Sequence, residues 1–227
     1  MVRYTMILAF GCSVTHGTDL VTVNASDENV ALSYPSKVAQ YLNVECENWA
    51  FQGNSNENIF HNFMDIMSQR DKVTAVIVGW TSPMREVWKC DGRYWQFIPA
   101  WCATVEDLTK PFGYVHDPKG GWSVEDPRQC SDDKNYIDIL DEGYKFLTKY
   151  KWDQEEYLKK RAHYVTAVRA YCNTRNFKLI ETCWWDDMDG VAINISNISK
   201  PWLDKGKHPD REDHQNIANA IIDHYKL

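Results

Sequence analysis

A serine does covalent chemistry only where a base takes its proton, because its hydroxyl is almost never ionised near neutrality. Ser13 is the first candidate. It follows an uncharged, mostly apolar run at residues 4–10 and stands in a small polar turn opened by Gly11. In an open α/β sheet, chemistry sits just beyond the carboxyl ends of strands, so Ser13 stands where a nucleophile would; a serine there also serves as a helix cap. Gly53 lies between a strand end and a helix start, where a missing Cβ lets a backbone N–H approach a ligand or simply permits a turn. His208 precedes Pro209, which disfavours helix at the residue before it, so His208 sits on a loop ahead of the last helix. His214 shares a helical face with Ile217, Ala218 and Ile221 and reads as a buried side chain at the core edge. Arg85 beside Glu86 suits either an ion pair or contact with a charged substrate group.

These residues need a scaffold. Residues 4–10, 44–49, 73–78 and 177–182 read as strands, and the runs at 4–10 and 73–78 carry the unbroken apolar pattern of strands buried on both faces. Helices are predicted at 34–42, with Pro35 in the first turn, and from 56 through Ile59, Phe60, Phe63, Met64 and Met67. Residues 136–150 are helical in composition. Asp153 with Glu156 resembles a capping box opening a further helix, whose inner face carries Leu158, Ala162, Val165, Val168 and Cys172. Residues 18–33 and 186–202 read as loops. Residues 89–133 show no sustained period and are broken by Asp91-Gly92, Lys110-Pro111, Gly120-Gly121 and Asp126-Pro127. So long an irregular stretch is functional or mobile; it reads as a Trp-rich insertion over the carboxyl edge of the sheet, either a substrate-selecting lid or an oligomer contact.

Composition narrows the classes. The 227 residues fit one α/β domain, read as a single unit over 1–227, and 44% hydrophobic content supports a sizeable core. A net charge of −7 and a pI near 5.5 argue against a general nucleic-acid partner, since no basic stripe meets phosphates. The seven cysteines are odd in number with no CxxC pair, which removes the zinc spacings and a disulfide framework. No apolar run reaches spanning length, and the first one is too short for a signal segment. The expectation is a soluble, cytoplasmic protein with no membrane partner, metal or organic cofactor. The 10 Trp and 12 Tyr offer flat faces suited to sugars or aryl groups, or pack long loops onto the domain.

Gly11-Cys12-Ser13-Val14-Thr15 resembles block I of the SGNH (GDSL-like) hydrolases, usually Gly-Asp-Ser-x-Thr, with Cys12 in the place of the Asp. The resemblance continues at residues 48–56, similar to block II, and at Asp204 to Pro209, similar to block V, Asp-x-x-His-Pro. Block III, Gly-x-Asn-Asp, is matched at Gly79-Trp80-Thr81-Ser82 with Thr81 where the Asn belongs, and three residues rather than two separate Asp204 from His208.

This resemblance implies a three-layer α/β/α sandwich with a mainly parallel, flavodoxin-like sheet. It implies Ser13 as nucleophile, His208 as general base and Asp204 as the carboxylate that orients it. The oxyanion hole would be formed by the Ser13 and Gly53 amides with Thr81. Asn56, Trp80 and Arg85 are the candidate substrate contacts. The expected reaction is hydrolysis of an O-acyl ester, such as an acetyl group, on a carbohydrate or other small molecule. Two rivals stay open: acyl transfer by the same site, and a catalytically weakened domain of this fold that binds a glycan or a protein.

Overall fold

The computed structural model describes residues 6–21, 26–83, 85–90, 93–97, 113–117, 121–125, 154–184, 188, 190–191, 193–198 and 208–227, and gives backbone pairing alone for the strands between 86 and 125. In chain order the strands are β1 (Met6–Phe10), β2 (Glu45–Asn48), β3 (Ala75–Trp80), β4 (Glu86–Cys90), β5 (Arg93–Phe97), β6 (Gly113–Asp117), β7 (Gly121–Glu125), β8 (Lys178–Cys183) and β9 (Ile193–Asn194). The helices are α1 (Ser13–His16), α2 (Asp27–Leu32), α3 (Tyr34–Leu42), α4 (Asn56–Met67), α5 (Gln154–Arg175), α6 (Ile195–Ile198) and α7 (Arg211–Tyr225).

Strands β2, β1, β3, β8 and β9 pair in that order, all parallel. Counted along the parallel strands alone, this is the 2-1-3-4-5 order of a flavodoxin-like sheet, whose order reverses beside β1. Ser13 follows β1 and therefore lies at that switch point.

The period of a strand explains the layers. Side chains alternate across a sheet, and in β1 Ile7 and Ala9 join one core while Leu8 and Phe10 join the other. Strand β3 repeats the division, with Ala75 and Ile77 on one side and Val76, Val78 and Trp80 on the other. Val38 and Ala39 of α3 with Ile217, Ala218 and Ile221 of α7 cover the first face. Ile59, Phe63 and Met67 of α4 with Val165, Val168 and Cys172 of α5 cover the second. In α4, α5 and α7 these residues recur at three- and four-residue spacing, which places them on one helical stripe. Caps set the ends: Ser55 accepts from Asn58 N at 3.1 Å before α4, and Asp210 with Asp213 forms a reciprocal capping box at α7. Loss of such a cap costs about 1 kcal/mol.

The structure departs from the sequence reading in three places. Strands β5, β6 and β7, within the stretch 89–133 read as irregular, join β4, which enters it from Glu86, in a four-stranded antiparallel sheet of order β4, β5, β6, β7. The polar segment 18–33 contains α2, capped by the Ser26 side chain on Asn29 N, and 186–202 contains β9 and α6. Such short elements carry too few residues to show a period. The helical reading at 136–150 lies outside the described residues. Among the described residues no helix is long and apolar enough to cross a membrane.

Candidate active site

β1 ends at Phe10, and the chain turns through Gly11 and an extended Cys12 into α1, whose first residue is Ser13. The four-residue helix closes at once: the Gly17 and Thr18 amides both donate to Ser13 O at 3.0 Å. Cys12 makes no side-chain cap, so the first amides of α1 carry no capping partner from it. Instead its buried Sγ accepts from Trp184 Nε1 at 3.0 Å, which turns the thiol into the core. Thr15 has a tight seat. A Cβ on either Gly11 or Gly79 would overlap its side chain, so the glycines that open blocks I and III make room for the threonine that ends block I.

The loop between β2 and α4 is fastened to the same turn. Gly11 O accepts from Phe51 N and from Asn54 Nδ2, both at 3.1 Å, and Asn48 Nδ2 donates to Thr15 O at 2.9 Å. Gly53, between these anchors, has φ 64, a left-handed backbone that side chains with a Cβ resist. Block III is fastened in turn to α4: Thr81 N donates to Asn56 Oδ1 at 2.9 Å, and Asn56 Nδ2 donates to Thr81 O and Ser82 O at 3.0 and 3.2 Å. Thr81 Oγ1 is buried without a hydrogen-bond partner among the described residues. A buried hydroxyl left so costs about 1–3 kcal/mol, and it is available as a donor.

His208 enters from the far end of the chain. Its Nδ1 lies 2.7 Å from Asp19 Oδ2, across 189 positions, with both side chains about one-third exposed, at 31% and 38%. Two other histidines stand near and are of a different kind. His16, on α1 itself, is buried and held down to about 4, chiefly by desolvation, partly offset by Asp27. His214 is held down to about 3, chiefly by desolvation with help from Lys37 and His208 against Asp210; its Nδ1 accepts from Tyr34 N at 2.9 Å. Both rings are neutral near pH 7. Among the described residues no hydrogen bond joins Ser13 Oγ to a histidine; such contacts are commonly loose before substrate arrives.

No family model and no curated relative matches the sequence. Solved structures match along nearly all of it. The psychrotrophic esterase EstA from Pseudoalteromonas sp., in a form inhibited by monoethylphosphonate, is similar with a TM-score of 0.50 and 9% identity, over 98% of this chain and 97% of that one. The fold is that of the SGNH hydrolases. A carbohydrate esterase, described as having divergent catalytic and non-catalytic binding functions, is similar at TM-score 0.46 and 12% identity, over 99% of this chain and 69% of that one. A member of the lipolytic G-D-S-L family from Veillonella parvula DSM 2008 is similar at TM-score 0.37 and 12% identity, over 98% of each chain.

Within this fold, hydrogen bonds fasten the loop carrying Gly53 to Gly11 beside Ser13 and fasten Thr81 to Asn56 at the start of α4, and His208 meets Asp19 two residues past the Gly17 cap of α1. Trp80 goes elsewhere. It is fully buried and donates from Nε1 to Glu181 Oε1 at 2.9 Å, so it belongs to the core rather than to a substrate surface. Asn56 spends its amide on bracing block III. Arg85, 5% exposed, lies with its guanidinium 5.1 Å from the Trp184 ring centre. With Asn56, Glu57, Pro83, Lys160 and Arg161 it lines a small cleft with room for about one water. Asp204 lies outside the described residues.

Two residues escaped the sequence reading. Asn54, whose amide links Gly11 O to α4 through Asn58, sits in a polar cluster that reads as turn chemistry. Asp19 lies in a polar loop and carries no local mark of a partner so distant in sequence.

Proposed function

We propose that this chain is a serine ester hydrolase that removes an O-acyl group, such as acetyl, from a carbohydrate or another small ester. One observation carries the reading: His208 comes from near the other terminus to within 2.7 Å of a carboxylate on the turn that closes the Ser13 helix. An imidazole so held can take a proton and return it.

In the proposed cycle Ser13 Oγ attacks the ester carbonyl carbon while its proton passes to His208 Nε2. The carbonyl oxygen becomes an oxyanion, received by the Ser13 and Gly53 amides and by Thr81 Oγ1. Collapse breaks the bond to the alkoxy oxygen, which leaves as an alcohol with the proton from His208. Water then attacks the acyl-serine, giving its proton to His208, and the second collapse releases the carboxylic acid and returns the proton to Ser13. The unpartnered Thr81 hydroxyl supports its part as the third donor. Arg85, Lys160 and Arg161 outnumber Glu57 in the lining of the cleft beside Asn56 and Pro83, which supports a substrate that also bears an anionic group.

The test is labelling of Ser13 by a fluorophosphonate, with turnover of p-nitrophenyl acetate, in wild type, Ser13→Ala and His208→Ala. Labelling and turnover that vanish in Ser13→Ala and fall in His208→Ala are expected. Equal turnover in all three, with no labelling, would turn the reading toward a binding domain. An acylated product formed on added alcohols would turn it toward acyl transfer.

A further inference from the structure

We infer that Asp19, in the place that the resemblance assigned to Asp204, is the carboxylate that positions His208; this rests on the hydrolase reading above. An ionised carboxylate only accepts hydrogen bonds, so an oxygen 2.7 Å from Nδ1 requires the ring proton on Nδ1. Nε2 is then left with its lone pair, the form a general base must have.

The position of Asp19 is fixed relative to Ser13 by the backbone. Thr18 N, the residue before it, donates to Ser13 O at 3.0 Å, and Leu20 N, the residue after it, donates to Gly17 O at 3.3 Å. Val21 N then donates to Oδ1 of the buried Asn29 at 2.7 Å. Nucleophile and carboxylate thus ride on one short helix and its closing turn. Asp19 itself has φ 69, a left-handed conformation that costs a residue with a Cβ on the order of 1 kcal/mol and concentrates at functional sites. A glycine would sit there without strain. The carboxylate is what the strain retains.

The strain supplies the test. Asp19→Gly relieves the backbone and Asp19→Asn tolerates it, so both variants are expected to fold with a thermal midpoint at or above wild type. Both should lose kcat on p-nitrophenyl acetate by about a hundredfold or more with KM little changed, and Asp19→Glu should restore part of it. The loss in Asp19→Asn should exceed that in Asp204→Ala by about tenfold or more.

A readout independent of turnover is the Nδ1 proton of His208, followed by NMR of histidine-labelled Ser13→Ala. That signal is expected to be present and to disappear when Asp19→Gly, which removes the acceptor, is added. Its survival in the double variant, or a larger kcat loss in Asp204→Ala than in Asp19→Asn, overturns the inference. If wild type shows no Ser13-dependent turnover, the hydrolase reading falls, and with it the role proposed for Asp19, while the NMR result still decides whether Asp19 holds the ring.

Discussion

The hydroxyl of Tyr34 lies 3.0 Å from Thr15 Oγ1 and 3.0 Å from Thr182 Oγ1, with all three residues buried. This bridge ties α1, which carries Ser13, to α3 and to β8. Burial raises the Tyr34 phenol well above its ordinary value, against the lowering effect of the two threonines, so the bridge stays neutral. Tyr34→Phe keeps the ring and leaves two buried threonine hydroxyls short of a partner. It should destabilise the fold by about 1–3 kcal/mol, read from urea unfolding.

Thr81 separates stability from catalysis. Thr81→Val keeps the shape and deletes a buried hydroxyl that has no partner among the described residues. Unfolding free energy should stay level or rise. If the hydroxyl is the third oxyanion donor, kcat should fall by on the order of a hundredfold with KM unchanged. Steady-state kinetics beside urea unfolding checks both halves.

Acid should weaken the fold through its buried histidines. His16 and His214 sit at about 4 and about 3 against an ordinary 6.5, chiefly because burial disfavours the charged ring. Below pH 6.5 the unfolded chain therefore binds more protons than the folded one. The stability they contribute is full above that pH and is lost as the pH falls through about 4 and then about 3. Unfolding free energies measured from about pH 7 down to about pH 4 should decline, and the decline should be shallower in His16→Gln, which does not titrate there.

Trp80, at the end of β3, and Arg85, whose N donates to Ser82 O, flank one short segment and should respond differently. Arg85→Gln should raise KM for an ester bearing a carboxylate by roughly tenfold or more over its effect on a neutral ester, the worth of a hydrogen bond to a charged group. Trp80→Phe should leave KM unchanged and lower the thermal midpoint, since the indole's role is to fill the core and donate to Glu181. Paired kinetics and thermal melts distinguish them.

Residue order alone placed β1 and β3, because a strand buried on both faces needs an unbroken apolar run, and placed α4 and α7, because a helix covering a sheet repeats its apolar positions at three and four. The candidate nucleophile was legible for the same reason: Ser13 follows such a strand at a glycine turn. The β4–β7 sheet was not legible, since strands of five residues separated by Gly, Pro and Asp leave no period to read. Nor was the destination of Trp80, whose indole N–H finds Glu181 on the neighbouring strand β8. The meeting of Asp19 with His208 belongs wholly to the tertiary structure. A carboxylate in a polar loop resembles any other until the sheet brings a histidine from 189 positions away to its oxygen, because hydrogen bonds act over ångströms and the chain records no distances between its ends.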